Sequence, residues 1–138
     1  MSVSAWKYVK TLNNKKDIKR FEEIIHKVLP SDYKEIVGNY NGGRPAKSAV
    51  MLQSKREVVF KTLLSFNKED KENIFAVYDW VGSQLQKGLI PFAIDPAGNY
   101  FCFDYNNNKN GSVVFWNHEN QQYILICNTF TQLLENMY

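Results

Sequence analysis

The chain reads as an α+β fold, an antiparallel meandering sheet of about six strands covered by helices. Three observations predict it. Short apolar runs alternate with Pro, Gly and Asn turn signals through the second half of the chain. The two strongest turn signals are of hairpin type, so the runs they join pair antiparallel. Amphipathic segments at helical spacing stand before, between and after the runs, as helices covering a sheet require.

Taken in order, Asp17 to Leu29 predicts a helix, with Ile18, Phe21, Ile24, Ile25 and Val28 on one stripe and charge on the other face. Pro30 is expected to end it, because proline disfavours helical backbone in the residue before it. Ser31 is placed to cap a second helix, with Asp32 in the first turn where the dipole favours negative charge. Tyr33, Ile36, Val37 and Tyr40 carry its apolar stripe, and Gly42-Gly43 stop it. Residues 49–53 and 58–66 read as strands joined by a polar turn at 54–56. A charged loop at 67–72 leads to a short helix from Asn73 to Val81, which runs out towards Gly82 and Gly88.

The segment from Leu89 to Glu119 is the most informative. Apolar runs at 90–94 and 100–105 flank Asp95-Pro96-Ala97-Gly98, where Pro presets one backbone angle and Gly accepts positive φ, predicting a tight reversal. A second reversal is expected between Asn106 and Ser112, with Asn110-Gly111 favouring a primed turn. Strands are predicted at 90–95, 100–105, 113–117 and 123–127. Thr129 and Gln132 then match the capping-box pattern, and Phe130, Leu133, Leu134 and Met137 form the stripe of a last helix. In the strands at 100–105 and 113–116 both alternating faces are apolar. Either the protein covers both faces, or one presents Tyr, Trp and Phe to a partner.

The 138 residues fit one domain, spanning 1–138, which would bury about two thirds of the surface of its unfolded chain. A hydrophobic fraction of 44% excludes a disordered tail. Met1 to Thr11 has no continuous apolar core of a secretory signal, and no apolar run approaches the roughly 20 residues of a membrane span. A cytoplasmic location is expected, with no membrane partner. Cys102 and Cys127 lie in apolar runs and are expected to be buried free thiols.

The net charge of +3 is unevenly spread. Residues 1–34 hold eight Lys/Arg against four Asp/Glu, whereas residues 89–138 hold Lys109 against Asp95, Asp104, Glu119 and Glu135. The first helix alternates Lys15, Lys16, Lys19 and Arg20 with Asp17, Glu22 and Glu23, the pattern of a solvated face rather than the continuous basic stripe of a nucleic-acid binder. Direct nucleic-acid binding is therefore not expected. His26 and His118 lack partners for proton transfer, and two His with two distant Cys do not make a zinc site. Gly42-Gly43 and Gly98 build no phosphate loop. Asp95 and Asp104 read as strand terminators rather than an acid/base pair. The chain is expected to have no catalytic residues, metal or cofactor, and to act by binding.

The same residues form a linear signature. It runs Leu29-Pro30-x-x-Tyr33, then Asn41-Gly42-Gly43, then Ile90-Pro91-Phe92-Ala93-x-Asp95-x-x-Gly98-Asn99-x-Phe101-Cys102-x-Asp104. It continues through Val113-Val114-Phe115-Trp116-x-His118-Glu119 and ends near Phe130 and Leu134. This resembles the SUKH superfamily, which includes the yeast cell-wall-assembly regulator and many bacterial immunity proteins. The resemblance covers about Asp17 to Tyr138. It implies an α+β protein-binding domain without catalytic residues, whose bacterial members commonly neutralise a cognate polymorphic toxin, often one with a C-terminal nuclease domain. Pro30, Tyr33, Gly42, Gly43, Gly98 and Phe130 match positions read as structural.

Asp95, Asn99, Asp104 and Trp116 match positions around the binding face. Tyr100 and Glu119 join them as an interface aromatic and a carboxylate suited to an electropositive cleft. The overall basic charge departs from the acidity usual in nuclease inhibitors. The leading expectation is an immunity protein, monomeric or weakly dimeric, that blocks a toxin. The alternative is a regulatory interaction module with an endogenous partner.

Overall fold

The structure is a computed structural model that describes residues 5–106 and 108–138. In chain order the elements are β1 (Trp6–Lys7), α1 (Lys16–Ile25), α2 (Ser31–Tyr40), β2 (Arg44–Pro45), β3 (Ala49–Met51), β4 (Glu57–Val59), β5 (Thr62–Leu63), α3 (Ile74–Val81), β6 (Leu89–Ile94), β7 (Tyr100–Asp104), β8 (Ser112–Trp116), β9 (Tyr123–Cys127) and α4 (Phe130–Asn136). The main sheet is a five-stranded antiparallel meander, β5-β6-β7-β8-β9, accompanied by two-stranded pairs β1-β2 and β3-β4. This is the α+β, helix-covered antiparallel architecture expected from the turn and stripe pattern.

The sheet has five strands rather than six, because the predicted strand at 58–66 changes partner midway. The Phe60 N–H donates to Ser48 O and the next N–H, Lys61, donates to Ile94 O. The chain therefore turns a corner there, leaving β3 and β4 as a separate hairpin and starting the main sheet at β5. Phe60 fills that corner, fully buried against Phe92 and Phe101.

α1 also ends earlier than Pro30 alone predicts. His26 takes a left-handed conformation, φ 57°, and closes the helix by donating its N–H to Glu22 O. The Glu22 carboxylate is buried instead of solvated, accepting from Leu29 N at 2.7 Å and Lys34 Nζ at 2.9 Å. That charge-assisted tie pulls residues 26–29 off the helix axis and fixes α1 to α2. It leaves Ile24 and Val28, expected on the buried stripe, exposed. Ser31 is the first residue of α2 rather than its cap; Pro30 precedes the helix with its fixed φ and no side-chain cap. α2 ends at Asn41, with Gly42 at φ +68°.

The reversal at Asp95–Gly98 forms as expected, with Gly98 at φ +86°. The second differs. Asn110-Gly111 is not a primed pair, since of the two only Gly111 has positive φ, and its N–H closes a turn onto Asn108 O. Asn107 lies outside the described residues. At α4, Thr129 Oγ1 accepts from Gln132 N, while Gln132 Oε1 reaches back to Asn128 N, one residue beyond the usual capping box.

Both faces of β6, β7 and β8 are buried, which decides between the two readings of the all-apolar strands. On one face Phe103 and Phe92 stack at 4.1 Å, and Tyr33 of α2 meets Phe92, Phe103 and Phe130 edge-on at 5.1–5.6 Å. Asp32 joins α2 to α4, its carboxylate accepting from both Thr131 N and Thr131 Oγ1. On the other face α3 and the segment after it cover Tyr100, Cys102 and Trp116. β9, at the sheet edge, is only half covered.

Candidate partner-binding face

The structure buries five of the six residues expected to contact a partner. Asp95 begins the β6–β7 turn, and one carboxylate oxygen accepts from Ala97 N at 3.0 Å and Asn99 N at 2.7 Å. Its other oxygen accepts from the Asn99 amide at 3.1 Å. Asn99 in turn accepts from His118 N at 3.0 Å, which ties the β6–β7 turn to the β8–β9 turn. Asp104 accepts from both the backbone and side-chain N–H groups of Asn106. A carboxylate that satisfies local N–H groups holds a turn and has few lone pairs left for another protein. These three residues are therefore architectural in this fold.

Tyr100 and Trp116 pack side by side, ring centroids 6.3 Å apart, and Trp116 is fully buried with its indole N–H donating to Gln86 Oε1 at 3.0 Å. Gln86 donates onward to Gln121 O. Burial raises the Tyr100 hydroxyl above the ordinary phenol range, and the Trp80 indole hydrogen-bonded to it offsets part of that rise. Glu119, in the β8–β9 turn, is the one exposed member of the set.

The residues read as structural all occupy fold-determining places. Pro30 starts α2, Tyr33 centres the aromatic core, Gly42 and Gly98 hold positive φ, and Phe130 opens α4. A Cβ on Gly43 would lie 2.8 Å from Tyr40 O, so the α2–β2 corner requires glycine there.

The sequence reading placed a helix at Asn73 to Val81 but missed the surface that this helix, α3, exposes. Its buried stripe is Ile74, Val77 and Val81, and Asn73 caps it by accepting from Ala76 N. Phe75 and Tyr78 are partly buried, edge-on against Phe21 of α1, and the open part of the helix is Asp79 and Trp80. Trp80 is 57% exposed, a large aromatic outside the stripe and beside the exposed Asp79. Between α3 and α1 runs a cleft of about 730 Å³, lined by Phe21, Ile24, Lys68, Phe75, Tyr78 and Asp79 among others. Lys68 Nζ lies 4.9 Å from the Phe75 ring centroid, a cation–π contact at the cleft margin. The signal was present in the spacing, since Trp80 stands one residue before Val81 and six after Ile74, at the margin of the buried stripe, where its indole reaches Tyr100 while most of the ring stays in water.

The cleft, lined by aromatic and aliphatic groups with Lys68 and Asp79 among them, and the exposed Trp80 form the open surface of a helix laid over the sheet. Among the described residues no three His, Cys, Asp or Glu come together as metal ligands. The chain belongs to the SUKH superfamily: the model of the family described as "SMI1-KNR4 cell-wall" matches residues 15–134. It is also similar to the SPbeta prophage-derived uncharacterized protein YokK of Bacillus subtilis (strain 168), 24% identical over 145 residues, which covers 90% of this chain and 74% of that protein. No helix among the described residues is long and apolar enough to cross a membrane.

Proposed function

We propose that this is a non-catalytic immunity protein of the cytoplasm that binds and blocks a cognate secreted toxin, with a nuclease domain as the expected target. The observation that carries the reading is the α3 surface. In a family whose members bind partner proteins, it offers an exposed tryptophan and a cleft lined by apolar groups and the Asp79 carboxylate, with Glu119 exposed on the β8–β9 turn. Trp in such a setting is a favoured interface anchor, and the carboxylates suit a cleft built to hold a polyanion. The relative's prophage origin fits a mobile toxin–immunity pair. On this reading Asp95, Asn99 and Asp104 shape the turns beneath the face, Tyr100 and Trp116 support Trp80, and Glu119 contacts the partner.

The test is co-expression with a toxic domain encoded beside the gene. Growth should be restored, and the two proteins should co-elute as a complex that Trp80→Ala weakens. Continued toxicity, with no complex between the purified proteins, overturns the reading. The net charge of +3 favours a second one, a regulatory module for an endogenous partner. In that case a stable complex would be recovered from cells that lack any such toxin gene.

A further inference from the structure

We infer that the chain pairs with a second copy of itself through the outer edge of β9, joining two five-stranded sheets into one of ten strands. The inference starts from the edge itself. Among the described residues β9 pairs only with β8, so one row of its backbone N–H and C=O groups faces outward. Such a row is a template for another strand, and proteins commonly blunt it with Lys, Pro or an inward charge. Here the blunting is missing. Residues 120–134, NQQYILICNTFTQLL, contain no charged residue and no proline.

The register can be worked out. Asn117 N donates to Gln122 O, which makes 117 and 122 a hydrogen-bonded pair. Antiparallel pairing alternates, so the next hydrogen-bonded pair is Phe115 with Ile124, and Tyr123 and Leu125 turn their backbone groups outward. An antiparallel β9–β9 pair with its two-fold axis at Ile124 sets Tyr123 of one copy opposite Leu125 of the other, twice. Each such pair exchanges two backbone hydrogen bonds, N–H of each residue donating to C=O of its partner.

The side chains fit the same register. Tyr123 and Leu125 are 41% and 42% exposed and lie on one face of the sheet, partnered by Trp116 and Val114. The two-fold pairing lays each Tyr ring against the facing Leu, removing both from water. Charge explains why the occupant is a second copy. In an isologous contact a residue on the axis meets its own copy, so a charge there would meet a like charge. An uncharged strand avoids that penalty, whereas a charged partner strand would find no counter-charge on β9 itself. α3 packs against β6, away from this edge, so pairing leaves the α3 part of the proposed toxin face, Trp80 and the cleft, free in each copy.

The experiment follows mass by sedimentation across a concentration series of the full chain. Wild type should pass from one chain to two as concentration rises, and Leu125→Lys, at an exposed position where folding is retained, should stay at one. In a Cys127→Ser background, Ile124→Cys should form a symmetric intermolecular disulfide under mild oxidation, because non-hydrogen-bonded antiparallel pairs bring Cα atoms to about 4.5 Å. Wild type that remains a single chain at its solubility limit overturns the inference. So does a dimer that survives Leu125→Lys and yields no Ile124→Cys cross-link. Both outcomes are read without toxin, so they are independent of the proposed function.

Discussion

Trp80 and Trp116 belong to one connected set of side chains, linked through Tyr100, yet one is 57% exposed and the other fully buried. The difference lies in the element that carries each. Trp116 is on a strand with neighbours on both sides and layers above and below, so an aromatic there has nowhere to go but the core. Trp80 is on a helix whose packing is met by the stripe of Ile74, Val77 and Val81 and by Phe75 and Tyr78 against Phe21, so an aromatic outside both contacts keeps most of its surface in water. Aromatic density in a meander therefore signals packing, and a single large residue off a helical stripe signals recognition.

The comparison breaks most visibly in the core. Trp116→Ala should cost about 3–5 kcal/mol, leaving a protein that denatures early in a urea titration or fails to accumulate. Next is Asp95→Ala, which removes the acceptor of three hydrogen bonds in the β6–β7 turn. It should lower stability by about 1.5–3 kcal/mol, with toxin affinity unchanged in the folded fraction. A loss of affinity without a loss of stability would return Asp95 to the interface.

Trp80→Ala should do the reverse. Calorimetric titration with the partner should show a loss of about 2 kcal/mol in binding, while stability stays within about 0.5 kcal/mol of wild type. Equal effects on both would remove the distinction between the two tryptophans.

The thiols sharpen the contrast between the inner strand β7 and the edge strand β9. Cys102 is fully buried, and burial drives its thiol far above the ordinary range. Cys127 is only half-buried, and burial pushes it up from 9.0 to about 11. β8 stands between them, so their Cα atoms are roughly 9–10 Å apart, too far for a disulfide. Labelling of the native protein should reach Cys127 first, with a rate that climbs towards pH 11, and reach Cys102 only on unfolding. The neutral thiol favours the fold, so the contribution of Cys127 to stability is complete below pH 9 and is lost as pH rises from 9 towards about 11.

The smallest effect is expected at Tyr33. Its hydroxyl is buried and has no hydrogen-bond partner among the described residues, so Tyr33→Phe should be neutral or raise stability by up to about 1 kcal/mol in the same denaturation experiment.

The fold was legible because its signals are local. Pro96 and Gly98 announce a reversal, Thr129 and Gln132 announce a helix start, and between them short apolar runs are separated by turn signals. What escaped depended on contacts distant in sequence. The early end of α1 follows from Glu22 reaching Lys34, and the corner at Phe60 follows from the choice between Ser48 and Ile94 as partner. At the site, Asp95, Asn99 and Asp104 were noticed for the right reason, since polar residues in an apolar stretch have work to do. That the donors to Asp95 and Asp104 lie within a few residues, while Asn99 accepts from His118 on the next turn, is a matter of turn geometry, invisible to charge counting. Trp80 could have been found by asking which aromatic of a predicted helix falls outside its stripe.

The contact between Asp32 and Thr131 joins residues 99 apart, and it sets a timetable for synthesis. As the chain leaves the ribosome, α2 and the first strands of the meander are complete long before Phe130 and α4 exist. Until the last few residues emerge, Tyr33, Phe92 and Phe103 lack the ring that closes over them. The nascent protein thus carries these rings uncovered from the emergence of Phe103 until Phe130 follows, and closure waits for α4.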